Sequence, residues 1–175
     1  MKKYILILLA IIAVSNNKSL AQDSTKQYKI GHEFQINIPK YMERTSGING
    51  SAAIEFKNDD RDVFGFVVQD TKEELGILEI TFAAIDSFYD FFIKDFIKDA
   101  DKRNVSKALS TKKANVSFIE SDFSYLDTDT KVEIYYFIGI VETKTCYYKV
   151  LCCCSLANKD KFKADYQKIL YSLRD

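Results

Sequence analysis

The sequence is short of the residues that interrupt regular structure, with 6 glycines and 1 proline in 175 residues. That scarcity excludes collagen-like and low-complexity chains, and a content of 47% hydrophobic residues excludes a wholly disordered one. The chain also has no excess of one charge, because it contains 25 basic and 25 acidic residues. The chain therefore lacks the positive field that favours nucleic acid or an anionic membrane. Composition indicates a globular protein with no nucleic-acid partner.

Recognisable catalytic signatures are missing as well. The sequence contains no G-x-S-x-G, Walker, G-x-G-x-x-G or H-E-x-x-H motif. Its single histidine, His32, follows Gly31 in a predicted turn, and the sequence offers it neither an orienting partner nor a nucleophile. We therefore interpret His32 as an exposed turn residue. No catalytic, cofactor-binding or metal-binding residue is assigned, and the binding residues stay open.

The N-terminus has the three parts of a secretory signal. Lys2 and Lys3 precede an uninterrupted apolar run at residues 4–14, and the segment ends on small residues at Ala21. The run of about 11 residues is too short to cross a bilayer, which takes about 20 residues in a helix. Residues 1–21 are therefore predicted to be a signal peptide cleaved after Ala21. The mature form is expected to be a periplasmic or secreted bacterial protein with no membrane span.

Cleavage leaves enough chain for one domain. Residues 22–27 are polar and are predicted to form a disordered lead-in. Residues 28–175 contain no internal repeat, glycine-rich linker or charge block, so they are predicted to form a single domain. Loss of three lysines with the signal peptide leaves 22 basic against 25 acidic residues, a mild negative charge that favours solubility.

Hydrophobic periodicity predicts several strands. Residues 34–38 alternate apolar and polar side chains, which indicates a half-buried strand that Pro39 ends. The strands predicted after it are 54–56, 64–68, 105–110, 116–126, 132–141 and 145–155. Segment 132–141 is apolar on both faces, so we expect it in the interior of the sheet.

Two segments have helical periodicity instead. In residues 80–100 apolar side chains recur every three or four positions, and either Thr81 or Asp86 is placed to cap that helix. A second amphipathic helix follows a cap candidate at Asn158. The organisation predicted from these patterns is strands, helix, strands, helix.

All four cysteines, Cys146, Cys152, Cys153 and Cys154, lie on the last predicted strand. Along a strand Cys146 and Cys152 are about 20 Å apart, beyond the roughly 7 Å that a disulfide spans, and one row of side chains does not converge on a zinc ion. We predict that Cys146, Cys152 and Cys154 share a buried face with Tyr148 and act as small hydrophobic residues. A reactive or intermolecular thiol is the alternative, and the oxidation state of the four cysteines stays open.

Two acidic segments, residues 58–62 and 127–129, resemble the start of a calcium-binding loop. Both lack the glycine at loop position six and the glutamate at position twelve that complete such a loop. We predict solvated hairpin turns at both segments, and a calcium-dependent module is a further hypothesis.

The order of elements is recognisable. The chain passes from FQINIP at 34–39 through a hairpin, a helix and a meander ending in YYKVLC at 147–152, and closes on ILYSL at 169–173. Over residues 28–174 this order resembles the PsbP-like superfamily, which includes the PsbP protein of photosystem II, Ran-binding import factors and exported bacterial proteins. The resemblance implies an α+β fold, in which an antiparallel β-sheet is layered with two main helices as an α/β/α sandwich. It also implies a protein that binds or stabilises a partner. It assigns no partner-binding residue.

We therefore expect an exported, non-catalytic binding module of the cell envelope, whose partner is an unidentified protein or small ligand. The alternative is a small exported hydrolase or thiol-redox protein that uses paired carboxylates or one of the cysteines. Redox work requires an accessible thiol with a low pKa, whereas a core cysteine has neither property.

Overall fold

The structure is a computed structural model, and it describes residues 24–31 and 33–175. The predicted signal peptide at residues 1–21 and His32, which was predicted to lie in a turn, fall outside the described residues.

The described residues form ten strands and three α-helices. The strands are β1 (Thr25–Ile30), β2 (Phe34–Pro39), β3 (Glu43–Thr45), β4 (Ile54–Asn58), β5 (Val63–Thr71), β6 (Asp101–Val105), β7 (Leu109–Lys113), β8 (Val116–Leu126), β9 (Glu133–Glu142) and β10 (Cys146–Ser155). The helices are α1 (Lys72–Ile77), α2 (Ile85–Asp95) and α3 (Lys159–Ser172). Single 3-10 turns at Asp59–Arg61 and Leu156–Asn158 follow β4 and β10.

Eight of the strands form one antiparallel sheet. Its order is β3-β4-β5-β10-β9-β8-β6, with β7 beside the other half of β8. β1 and β2 form a separate antiparallel hairpin. The α+β class and the antiparallel sheet predicted from the sequence are therefore confirmed.

One side of the sheet, here the α3 face, is covered by α3 and the β1–β2 hairpin. Its largest side chains are buried almost completely, including Phe34, Phe137, Tyr148, Phe162 and Tyr166. The helix lies so close to β9 that a Cβ added to Gly139 would stand 2.6 Å from Cδ1 of Leu170. Glycine at this position is what lets the helix approach the sheet.

The other side, here the α2 face, is covered by α2, with α1 at one end of the sheet. Ile85, Phe88 and Tyr89 point inward from α2 and pack against side chains of β8, β9 and β10. β9 contributes to both cores, with Phe137 on the α3 face and Ile138 on the α2 face. Its predicted position in the interior of the sheet, covered on both sides, is confirmed.

The predicted disordered lead-in at residues 22–27 is wrong for residues 25–27. Thr25 begins β1, and the strand pairs with β2 over its whole length, from Thr25 opposite Pro39 to Ile30 opposite Phe34. The polar composition of this segment is typical of an edge strand, whose outward side chains remain in solvent. Backbone pairing to β2 orders it without much apolar burial.

The helix predicted over residues 80–100 is shorter than expected. α2 begins at Ile85, and its N-cap is Ala84, so neither Thr81 nor Asp86 caps it. The helix ends at Asp95, because Phe96 continues in extended backbone and its ring contacts Phe123 and Tyr136.

The segment predicted as one strand at 105–110 contains a break. β6 ends at Val105, and β7 begins at Leu109. Asn158 does precede α3 as predicted, but its Nδ2 donates a hydrogen bond to Ser155 Oγ at 3.0 Å instead of capping the helix.

Candidate functional site

The four cysteines lie where the sequence places them, on β10, and all four are free thiols. Cys146, Cys152 and Cys154 are buried in the α3 face together with Tyr148, which confirms their interpretation as small hydrophobic residues. Cys153 alternates to the other side of the strand and is only partly buried.

The electrostatic surroundings of the thiols oppose redox chemistry. Burial raises the pKa of Cys153 to about 12, even though a hydrogen bond from Tyr136 acts in the opposite direction. Burial also raises the pKa of Cys152 and of Cys154. Because the thiolate is the nucleophile, these shifts make all three thiols less reactive than free cysteine.

The two acidic segments are turns, as predicted. Asn58 Oδ1 accepts a hydrogen bond from the Arg61 amide at 2.8 Å. Asp127 Oδ1 accepts hydrogen bonds from the amides of Asp129 at 2.9 Å and Thr130 at 3.3 Å, which lower the pKa of that carboxyl group. Among residues 24–31 and 33–175, no group of three or more histidine, cysteine or acidic side chains is arranged to hold a metal ion.

A polar cluster on the α3 face fixes the helix to the sheet. Asp122 accepts a hydrogen bond from the Tyr135 hydroxyl at 2.7 Å and pairs with Lys159 at 2.8 Å and Lys163 at 2.9 Å. Burial alone would raise the pKa of Asp122, but these hydrogen bonds together lower it below the ordinary value. One carboxylate of β8 thus holds two lysines of α3, so the cluster serves packing of the helix on the sheet.

The α2 face has an opening, and its first wall is α1. Thr71 caps this helix by accepting a hydrogen bond from the Glu74 amide and donating one to Glu74 Oε2 at 2.7 Å. The chain then turns sharply at Glu79, which has a φ of 60°, and reaches α2 through residues 80–84. We call the depression along α1 and residues 78–82, with Phe91 of α2 beside Phe82 at its edge, the α1–α2 groove.

An aromatic cleft of about 170 Å³ forms the inner part of the groove. Its lining residues are Lys72, Leu75, Ile80, Thr81, Phe82, Glu142 and Tyr147. Tyr147 stacks on Phe88 with ring centroids 4.3 Å apart, and Phe82 meets it edge-on at 5.9 Å. Burial and the neighbouring Glu142 carboxylate raise the pKa of Tyr147 to about 12, so its hydroxyl stays neutral at physiological pH.

Two ion pairs border this cleft. Lys72 Nζ lies 2.8 Å from Glu142 Oε1 and 4.8 Å from the centroid of the Tyr147 ring. Lys149 Nζ lies 2.6 Å from Asp70 Oδ2. Each cation is matched by a carboxylate, so the inner cleft is aromatic and close to neutral.

The outer part of the groove is apolar and open. A hollow of about 440 Å³ adjoins the cleft through Leu75, and Ile77 and Leu78 line it with exposures of 76% and 67%. Phe91 of α2 is 57% exposed, and its ring lies 5.4 Å from that of Phe82. Clustered exposed apolar side chains are typical of interaction sites.

Acidic side chains surround these apolar residues. Segment 70–90, which contains α1, the turn and the first half of α2, carries six acidic residues and one basic residue, Lys72. Five of the acids are exposed: Glu73, Glu74, Glu79, Asp86 and Asp90. The groove therefore combines an apolar floor with a negative rim.

Our sequence interpretation did not identify the groove. One usable signal was present: Thr71 followed by Glu74 is a capping box, and Leu75, Ile77 and Leu78 come directly after it. That pattern predicts a short helix at α1. It does not show that Ile77 and Leu78 point into solvent.

Comparison with solved structures identifies the class of fold. The chain is similar to the cyanobacterial PsbP protein of Synechocystis sp. PCC 6803, with a TM-score of 0.62, 12% identity and coverage of 93% of this chain and 98% of that one. It is also similar to LpqN of Mycobacterium tuberculosis, a protein involved in cell envelope biogenesis, with a TM-score of 0.58, 7% identity and coverage of 85% and 90%. PA94 of Pseudomonas aeruginosa, a protein of unknown function, gives a TM-score of 0.52 at 9% identity, with coverage of 86% and 96%.

These similarities show that the chain has a PsbP-like fold, as its order of elements predicted. No family model and no curated protein sequence matches it. Within the part of the chain that the structure describes, no helix is both long and apolar enough to span a bilayer.

Proposed function

We propose that this protein is an exported, non-catalytic binding module of the cell envelope, and that it binds its partner through the α1–α2 groove. The N-terminal sequence supports export, and the raised pKa values of the β10 thiols argue against the thiol-redox alternative. LpqN, which shares the fold, is described as involved in envelope biogenesis. Fold similarity alone does not carry a function, so the proposal depends on the groove.

The observation that carries the proposal is the clustering of exposed apolar side chains. Six large hydrophobic residues of the described chain are exposed, and three of them, Ile77, Leu78 and Phe91, lie around this one groove. They lie outside both buried cores of the sheet, so these side chains do not contribute to folding as core residues do. Contact of these apolar side chains with water is unfavourable, and their burial by a partner is favourable.

We expect the affinity between the groove and its partner to be low. Complete burial of a large apolar side chain contributes about 1.5–3 kcal/mol, and association itself costs about 4–15 kcal/mol. Three partly exposed side chains and the aromatic cleft therefore support a weak or transient complex unless polar contacts add to it.

The test is cross-linking in intact cells, followed by purification of the tagged protein. We expect adducts that disappear in the double variant Ile77→Ser/Leu78→Ser. Leu109→Ser is the matched control, because Leu109 is 57% exposed but lies on β7 opposite Glu120, whose carboxylate contacts α3. Adducts that persist in the double variant, or turnover that depends on one carboxylate or thiol, would contradict the proposal.

A further inference from the structure

We infer that the partner presents a basic amphipathic segment, whose apolar side chains enter the α1–α2 groove and whose lysines or arginines contact its acidic rim. This inference rests on the proposed function, because it names the chemistry of the ligand for the same surface. Its basis is the combination of apolar floor and unbalanced negative charge in segment 70–90.

The charge of the rim differs from that of the segment that contains α3. Segment 70–90 holds six acidic residues and one basic residue, whereas segment 159–175, which contains α3, holds five basic and three acidic residues. The single cation of the rim segment, Lys72, is bound to Glu142 and does not offset the exposed acids of α1. A positively charged partner is therefore attracted to this face and an anionic one is repelled.

The shape of the groove favours a peptide segment over a small molecule. The adjoining hollow of about 440 Å³ is open to solvent, and the inner cleft alone, at about 170 Å³, is smaller than the roughly 300–1,000 Å³ of typical small-ligand pockets. Ile77, Leu78 and Phe91 project outside the inner cleft, so a ligand confined to the cleft would leave them in water. An amphipathic segment lying between α1 and α2 covers these side chains and also reaches the cleft with one anchor residue.

The acidic rim also argues against a bacterial membrane as the occupant. Anionic lipid headgroups attract basic surfaces, and the exposed Glu73, Glu74 and Glu79 next to Ile77 and Leu78 would be repelled by them. A lysine-rich segment is attracted to the same acids and can form several surface ion pairs with them.

The test uses three fluorescent 18-residue peptides and fluorescence anisotropy with the purified protein. The first peptide has leucines on one helical face and lysines on the other, the second replaces the lysines with glutamates, and the third scrambles the first. We expect the lysine–leucine peptide to bind at least tenfold more tightly than the other two, and more weakly at 200 mM than at 50 mM salt.

Two sets of variants assign that binding to the rim. The triple variant Glu73→Gln/Glu74→Gln/Glu79→Gln should weaken binding of the lysine–leucine peptide about tenfold and flatten its salt dependence. Glutamine at position 74 retains the capping box, so α1 is preserved. The control removes three exposed acids elsewhere, Glu43→Gln/Asp60→Asn/Asp160→Asn, and should leave binding unchanged.

The outcomes separate this inference from the proposed function. Equal binding of the glutamate–leucine peptide, or no effect of the rim triple variant, would overturn the inference alone, provided that Ile77→Ser/Leu78→Ser still abolishes the cellular adducts. Insensitivity of both assays to Ile77→Ser/Leu78→Ser would overturn both. Groove-dependent binding to phosphatidylglycerol vesicles, or a groove-dependent dimer in sedimentation, would replace the peptide with a membrane or a second copy of this chain.

Discussion

The α3 face and the α2 face of the sheet are covered to different extents. On the α3 face, a 14-residue helix and the β1–β2 hairpin leave side chains such as Phe162 only 2% exposed. On the α2 face, an 11-residue helix and the short α1 leave Phe91 57% exposed and Ile77 76% exposed. The closed face supplies stability, and the incompletely covered face is the one available for a partner.

The two faces also use charge differently. On the α3 face, Lys159 and Lys163 are drawn onto Asp122, so the charges hold the helix to the sheet. On the α2 face, the acids of α1 point into solvent, and the ion pairs Lys72–Glu142 and Lys149–Asp70 lie further inside the groove. On the α3 face these charges hold the helix to the sheet, whereas on the α2 face the acids of α1 remain available to contact a partner.

The largest expected difference in stability is between two variants that each remove a phenylalanine, one from each face. Phe162→Ala should lower the free energy of unfolding by about 3–5 kcal/mol, because it leaves a cavity under α3. Phe91→Ala should lower it by less than about 1 kcal/mol, because that ring is mostly in solvent already. Urea unfolding measures both, and similar losses in the two variants would contradict the difference between the faces.

A smaller effect is expected at the polar cluster of the α3 face. Asp122→Asn should lower the free energy of unfolding at pH 7 by about 1–2 kcal/mol, because charge-assisted hydrogen bonds from two lysines are lost. Asp60→Asn, at an exposed turn acid, is the control and should change little.

The pH dependence of that effect has a defined sign. The folded-state pKa of Asp122 is lowered, so its contribution is fully present above the unfolded value of about 3.9 and is lost as the pH falls through the folded value. The difference between wild type and Asp122→Asn should therefore be constant near neutral pH and shrink below about pH 4. A difference that grows on acidification would show that the cluster does not bind the ionised carboxylate.

The third prediction concerns the chemical reactivity of the β10 thiols. At pH 8 a thiol with a pKa of about 12 is ionised roughly a thousandfold less than a free cysteine, so Cys153 in the folded protein should react that much more slowly with iodoacetamide. Its rate should rise about tenfold per pH unit, while the buried Cys152 should react only through unfolding. Mass spectrometry locates the adducts, and all four cysteines should react in guanidinium.

Rapid labelling of Cys153 at neutral pH would contradict this expectation. It would favour the thiol-redox alternative and weaken the non-catalytic proposal.

Much of the sheet could be predicted because its strands carry strong apolar patterns. β8 runs over Val116–Leu126, the same limits as the predicted strand, and β9 is an interior strand because both of its faces are apolar. The common face of Cys146, Cys152 and Cys154 follows from alternation along one strand, which needs no knowledge of neighbours.

The elements that were missed are those with little apolar patterning of their own. β1 is ordered by backbone pairing to β2, and α1 is a six-residue helix that a short capping box begins. α2 ends earlier than its periodicity predicts, because the ring of Phe96 packs on the sheet from an extended backbone. In each case a tertiary contact outweighs the local pattern.

The amino-acid sequence determined the α+β class, the interior strand and the burial of the cysteines, because period-two and period-3.6 patterns record which side of an element meets the core. Only the tertiary structure decided where apolar side chains remain uncovered. Ile77 and Leu78 lie at the end of α1 and Phe91 lies on α2, and whether each is buried depends on how closely these two helices cover the sheet. That spacing is a property of the packed helices, and no single segment of the sequence contains it.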